Sequence, residues 1–125
     1  MEFTVQNLFD LTIGVMGEQK SNSSSYNEIF FPIMNTILSE CMENENALRQ
    51  RDGMDLLTEA PYLKTMEDAV PYHTELIRNV LPYGIGMLLA MADEENVKAT
   101  FCSSKYDEQR NKFTPALYVE TEAVF

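Results

Sequence analysis

Near the start of the chain, Val5, Leu8, Phe9, Thr12, Ile13 and Met16 recur at steps of three and four, one face of a 3.6-residue period. The spacing predicts a helix that Thr4 caps with its hydroxyl and that Gly17 ends by turning left-handed. The polar run 18–25 has no period and reads as an exposed loop. A second helix is predicted from about Tyr26 to Glu43, on the stripe Phe30, Ile33, Met34, Ile37, Leu38 and Cys41. Pro32 either lies in the first turn of a helix starting near Ile29 or kinks it. From Asn44 to Pro71 the period fails. Turn signals at Asn44-Glu45-Asn46, Arg51-Asp52-Gly53 and Ala60-Pro61 leave an irregular connection, with a helical turn near Ala47–Arg51 and short strands near Leu56 and Tyr62-Leu63.

A third helix is expected to open near Pro71, with Leu76, Ile77, Val80, Leu81, Gly84, Leu88 and Met91 on its face. Pro82 should kink it, while Gly84 and Gly86 admit another backbone closely. Asp93 then caps a fourth helix, with Glu94 and Glu95 at its positive end. That helix is expected to turn Val97, Phe101 and Tyr106 inward and to fade near Phe113. The final stretch alternates Leu117, Val119 and Thr121 against Tyr118, Glu120 and Glu122, as a strand added to another surface or an arm does. The fold class expected is mainly α: about four helices in a compact bundle, a long irregular connection between helices 2 and 3, and an extended C-terminal tail. Residues 1–114 form the helical domain and 115–125 the tail.

The 125 residues, 45% of them hydrophobic, suffice for one core without disulfides or metals. Twenty acidic side chains against nine basic ones give a formal charge of −11, which opposes any grip on nucleic acid through Lys and Arg. The charge serves solubility by self-repulsion, or a surface that sits beside DNA or a basic partner without sticking. Cys41 and Cys102 share no short motif, no basic region opens the chain, and the apolar stretch Leu81 to Ala92 is too short for a bilayer. These features predict two free thiols in a reducing cytosol, no secretion and no membrane. In the cytosol the glycosylation pattern Asn22-Ser23-Ser24 carries no meaning.

Candidate chemistry is thin. Gly14 to Ser21 lacks a contiguous Gly-Lys-Ser and follows a helix, so it makes no phosphate loop, and Gly84-Ile85-Gly86 lacks a third glycine. His73, Cys41 and Cys102 form no close ligand pair, and no metal or cofactor is expected. As a general base His73 needs a partner carboxylate that the sequence does not name; it reads as exposed or capping. Glu40 with Glu43, and Asp93 to Glu95, read as surface or cap acids, and no catalytic residue is identified. Lys98, Lys105 and Lys112 recur every seven residues and line one side of the fourth helix. They suit an acidic neighbour or phosphate backbone, or pair with Glu94 or Glu108 on a solvated face. Leu117, Tyr118, Val119, Val124 and Phe125 are apolar enough to bind a partner or to pack back onto the bundle.

The order of elements also carries a resemblance. It runs through Leu8 to Glu18, then Tyr26, Pro32, Asn35, Leu38 and Glu40, then Ala60-Pro61-Tyr62-Leu63, Asp68 and Pro71-Tyr72. It continues through Val80-Leu81-Pro82-Tyr83-Gly84-Ile85-Gly86-Met87-Leu88-Leu89-Ala90 and Asp93 to Ala99, Phe101 and Tyr106. Over about residues 5 to 110 the chain resembles the small head–tail connector proteins of tailed phages and prophages, also called adaptor or head-completion proteins. The resemblance implies a non-enzymatic, mostly helical protomer that assembles as a homo-oligomeric ring under the portal after DNA packaging and joins capsid to tail. Its partners would be portal and tail proteins, with DNA passing nearby unbound. Its location would be the virion, or the bacterial cytoplasm during assembly. It also implies that the segment Leu117 to Phe125 docks on the portal or a neighbour, although this tail is short beside the long extensions of some relatives. The eight acids from Glu40 to Asp68, against three basic residues, would suit a lumen that repels phosphate. The alternative reading is a small acidic interaction or regulatory protein, such as a DNA-mimic inhibitor.

Overall fold

Thr4 opens the first helix in the computed structural model, which describes residues 2–17 and 26–113. The Asn7 amide donates to Thr4 Oγ1 (3.3 Å), and the Thr4 amide donates to Asn7 Oδ1 (2.9 Å), a reciprocal cap on α1 (Val5–Val15). Val5, Leu8, Phe9, Thr12, Ile13 and Met16 are all buried, as their spacing requires, and Gly17 takes φ +74° just past the end.

The described residues are mainly helical and contain no strand. Where about four helices are expected, the described residues form six, because one expected helix breaks in two and another helix stands where an irregular connection is expected. The second ends at Glu40 as α2 (Asn27–Glu40), and after a break at Cys41 a further helix, α3 (Met42–Arg51), runs through the turn expected at Asn44-Glu45-Asn46 and replaces the single helical turn expected near Ala47–Arg51. Five of the six stripe residues are buried, with Ile33 only partly so. Since α2 begins at Asn27, Pro32 is its sixth residue, beyond the first turn, on the exposed side. The third expected helix is divided at Val80 (φ −122°, ψ −56°) into α4 (Thr74–Asn79) and α5 (Leu81–Ala92). Pro82 therefore stands in the first turn of α5, where its missing amide costs nothing, and a break replaces the kink.

Helix α5 is the centre of the molecule, packed against α1, α2, α4 and α6 (Asn96–Arg110). Its buried positions are Leu81, Pro82, Gly84, Ile85, Gly86, Leu89 and Ala90; Leu88 is only partly buried and Met91 is exposed, contrary to the expected face. The two glycines admit side chains rather than a backbone. A Cβ on Gly84 would lie 2.7 Å from the Tyr106 ring, and one on Gly86 would lie 3.1 Å from Met16 and 3.2 Å from Cys102.

Asp93 ends α5 rather than capping α6; Glu94 follows with φ 57°, and Glu95 holds the cap position. In α6 the buried face is Ala99, Cys102 and Tyr106, while Val97 is 86% exposed and Phe101 49%. Positions 99, 102 and 106 share one side of the helix and 97 and 101 the other, so geometry overrides residue type here. A 3-10 turn (Asn111–Phe113) follows α6. The segment 114–125, and with it the expected tail, lies outside the described residues, as does the polar run 18–25.

Candidate functional site

Between α3 and α4 the chain runs without regular structure from Asp52 to His73, and side chains rather than a sheet hold it. The short strands expected near Leu56 and Tyr62-Leu63 are replaced by two asparagines. Asn35 of α2 accepts the Leu63 amide (2.9 Å) and donates to the Leu63 carbonyl (3.0 Å). Asn46 of α3 does the same to Leu57 (2.8 and 3.1 Å). A carboxamide presents the donor and acceptor that a neighbouring strand would, so the buried backbone pair of Leu63 and the half-buried pair of Leu57 are satisfied. Further on, the carbonyls of Asp68 and Met66 accept the Val5 and Gln6 amides, which a helix start leaves without partners. The Asp68 carboxylate accepts the amides of Lys64 and Thr65, which hold its pKa below the usual carboxylate range.

The connection ends in a cluster of charges. Glu45, fully buried on α3, accepts from Arg49 Nε (2.7 Å) and from the His73 amide (2.7 Å), and faces His73 Nδ1 at 3.0 Å. His73 Nε2 lies 2.7 Å from Asp52 Oδ2, and Arg51 bridges Asp52 and Glu75. The remaining arms of Arg49 donate to the carbonyls of Asp55 and Pro71. Partial burial works against charge on His73, but hydrogen bonds to Glu45 and Asp52 prevail and raise its pKa. Hydrogen bonds from Arg51 and His73 hold Asp52 far below the usual carboxylate value. Histidine thus meets the partner acids that spacings of 28 and 21 residues conceal in the sequence. With a carboxylate facing each ring nitrogen, the protonated ring donates one hydrogen bond to each, and both nitrogens are engaged within the cluster. The cluster fastens α3, the connection and α4 to one another.

A second cluster fastens the far end of α6. Tyr106 donates to Glu40 Oε1 (2.5 Å) and lies 3.3 Å from Cys41 Sγ, with the Arg110 guanidinium 5.6 Å from its ring centroid. Arg110 donates to the Glu40 carbonyl (2.9 Å) and to Asn44 Oδ1 (3.1 Å), while Asn44 donates to the Phe113 carbonyl (2.8 Å). Burial raises the thiol pKa of Cys41, partly offset by Tyr106, and that of Cys102; both cysteines are free and buried, as small hydrophobes are. The same burial, reinforced by Cys41 and Glu40, pushes the Tyr106 hydroxyl far up.

Of the sequence-derived candidates, Lys98 and Lys105 stand on the outer side of α6. Lys98 is 2.9 Å from Glu95, and Lys105 is 3.8 Å from Glu108. Lys112 follows in the exposed 3-10 turn. The structure adds what residue type hid: Val97 and Phe101 lie on this same side, with Tyr83 of α5 edge-on to Phe101 at 6.2 Å between ring centroids. The result is an outward face of mixed basic, aromatic and aliphatic groups. Leu117, Tyr118, Val119, Val124 and Phe125 lie outside the described residues. Among the described residues, no three His, Cys, Asp or Glu side chains are grouped to hold a metal ion, and no helix is long and apolar enough to cross a membrane. An open groove of about 640 Å³ runs past Asn35, Ser39, Glu40 and Tyr62, but His73 does not line it. No family model, curated protein or solved structure matches the chain.

Proposed function

We propose that this chain is a structural connector that works through protein contacts, joining a ring-shaped portal to the tail of a phage or prophage particle. The observation that carries the reading is the outer face of α6, where Val97 and Phe101 stand exposed among Lys98, Lys105 and Lys112 in a molecule of net charge −11. Exposed apolar groups beside local positive charge suit a contact surface, because each group gains on leaving water against a complementary partner. The hydrogen-bonded clusters around Glu45 and Glu40 support the same reading. Their hydrogen bonds go to fastening helices and the connection, which suits a rigid joint.

The acidic lumen narrows to fewer residues. Glu40, Glu45, Asp52 and Asp68 are engaged internally, leaving the exposed Glu43, Asp55, Glu59 and Glu67 to face passing phosphate. The test mixes the purified chain with the portal protein encoded in the same genome and follows sedimentation. The expected result is co-migration with the portal ring in a fixed ratio, lost on Phe101→Glu. A genome without a portal gene, or no co-migration at excess chain, ends the reading. Capture of a DNA-binding protein, in competition with DNA, would instead favour an acidic DNA mimic.

A further inference from the structure

Two columns of opposite character run along the exposed side of α6. Phe101 and Glu108 make one, seven residues apart; Lys98 and Lys105 make the other. Positions seven apart differ by only about 20° around a helix, so each column is nearly straight and the two lie side by side. If a second α6 is laid against the first, end for end about Ser103, Lys98 comes opposite Glu108 and Phe101 comes opposite Lys105. Two-fold symmetry makes each contact twice. A parallel pairing in register would set Lys98 against Lys98 and Lys105 against Lys105, which repels.

We propose that this face of α6 binds a second copy of the chain, antiparallel, to form a two-fold dimer. Within one chain Lys98 and Glu108 are about 15 Å apart along the axis and do not pair with each other. Their partners there are Glu95 and Lys105, in exposed i, i+3 contacts that contribute little and exchange readily. Across the dimer the half-exposed Phe101 ring lies against the stem and ammonium of Lys105, covering apolar area and gaining a cation–π contact. Val97, the most exposed large hydrophobic side chain among the described residues, lies at the edge of the same seam. One face of a 15-residue helix covers less than the roughly 1,200–2,000 Å² of a stable interface, so the dimer is weak and forms with concentration. The inference does not rest on the connector reading, since the pairing follows from the columns alone.

Sedimentation equilibrium of the full chain, from low micromolar to near-millimolar concentration at physiological salt, tests it. The expected result is a monomer–dimer equilibrium. Lys98→Glu and Glu108→Lys should each weaken association about tenfold or more, because each replaces two attractions with two repulsions. The double variant K98E/E108K should restore association to near the original value. Helical circular dichroism and melting temperature confirm that each variant is folded. A monomer at every concentration, single variants that associate as before, or a folded double variant that stays monomeric overturns the proposal.

Discussion

His73 binds its proton more tightly in the folded chain than in the unfolded one, because Glu45 and Asp52 each hold one ring nitrogen. A group whose folded pKa is raised stabilises fully below its unfolded value of about 6.5, and that contribution is lost as pH rises through the folded value. The melting temperature should therefore fall as pH climbs above about 6.5, and His73→Gln should flatten that slope. Asp52, Asp68 and Glu75 have lowered pKa values and act with the opposite sign; their contribution is present above about pH 4 and lost on acidification. Gly84 is the other single position with a large lever. A methyl there would meet Tyr106 at 2.7 Å and Ile37 at 3.1 Å, so Gly84→Ala should cost about 1–3 kcal/mol, read by denaturant unfolding. Gly14, with open space around its position, is the control for a change of residue alone.

At the scale of elements, the connection stays in place through two side-chain amides. Asn35→Ala would leave the buried Leu63 amide and carbonyl without partners, at about 1–3 kcal/mol. Hydrogen exchange should then speed at Leu63 while Leu57, held by Asn46, keeps its protection. The reciprocal result is expected for Asn46→Ala. These pins also explain how far the sequence could be read. Helix α1 was legible to its last buried residue, because cap, stripe and stop all agree. Helix α3 was not, since MENENALRQR buries only Leu48 among its apolar residues alongside the polar Asn44 and Glu45, whose partners lie far along the chain. The outward turn of Val97 and Phe101 was hidden for a related reason. Their type argues for burial, and only the phase of Ala99, Cys102 and Tyr106 against α5 decides which side faces in. Lys98 and Lys105 were legible on one side of α6 from their seven-residue spacing, whereas Lys112 falls past the helix end in the 3-10 turn; the histidine and its two acids depend on contacts that no local pattern encodes.

For the molecule as a whole, charge of one sign dominates: −11 over 125 residues repels itself in the compact state. Added salt screens that repulsion beyond a Debye length of about 8 Å at physiological strength, and also weakens exposed pairs such as Lys98–Glu95. Those pairs contribute little, so the melting temperature should rise between low and physiological salt. A flat or falling curve would mean that the ion pairs outweigh the net charge. The chain has no tryptophan and six tyrosines, so its intrinsic light emission comes from phenol rings. In the native state the Tyr106 hydroxyl is hydrogen-bonded to the Glu40 carboxylate, a contact through which an excited phenol sheds its energy without emitting. Parting α6 from α2 should brighten that ring, giving the joint between these helices an optical gauge that needs no label.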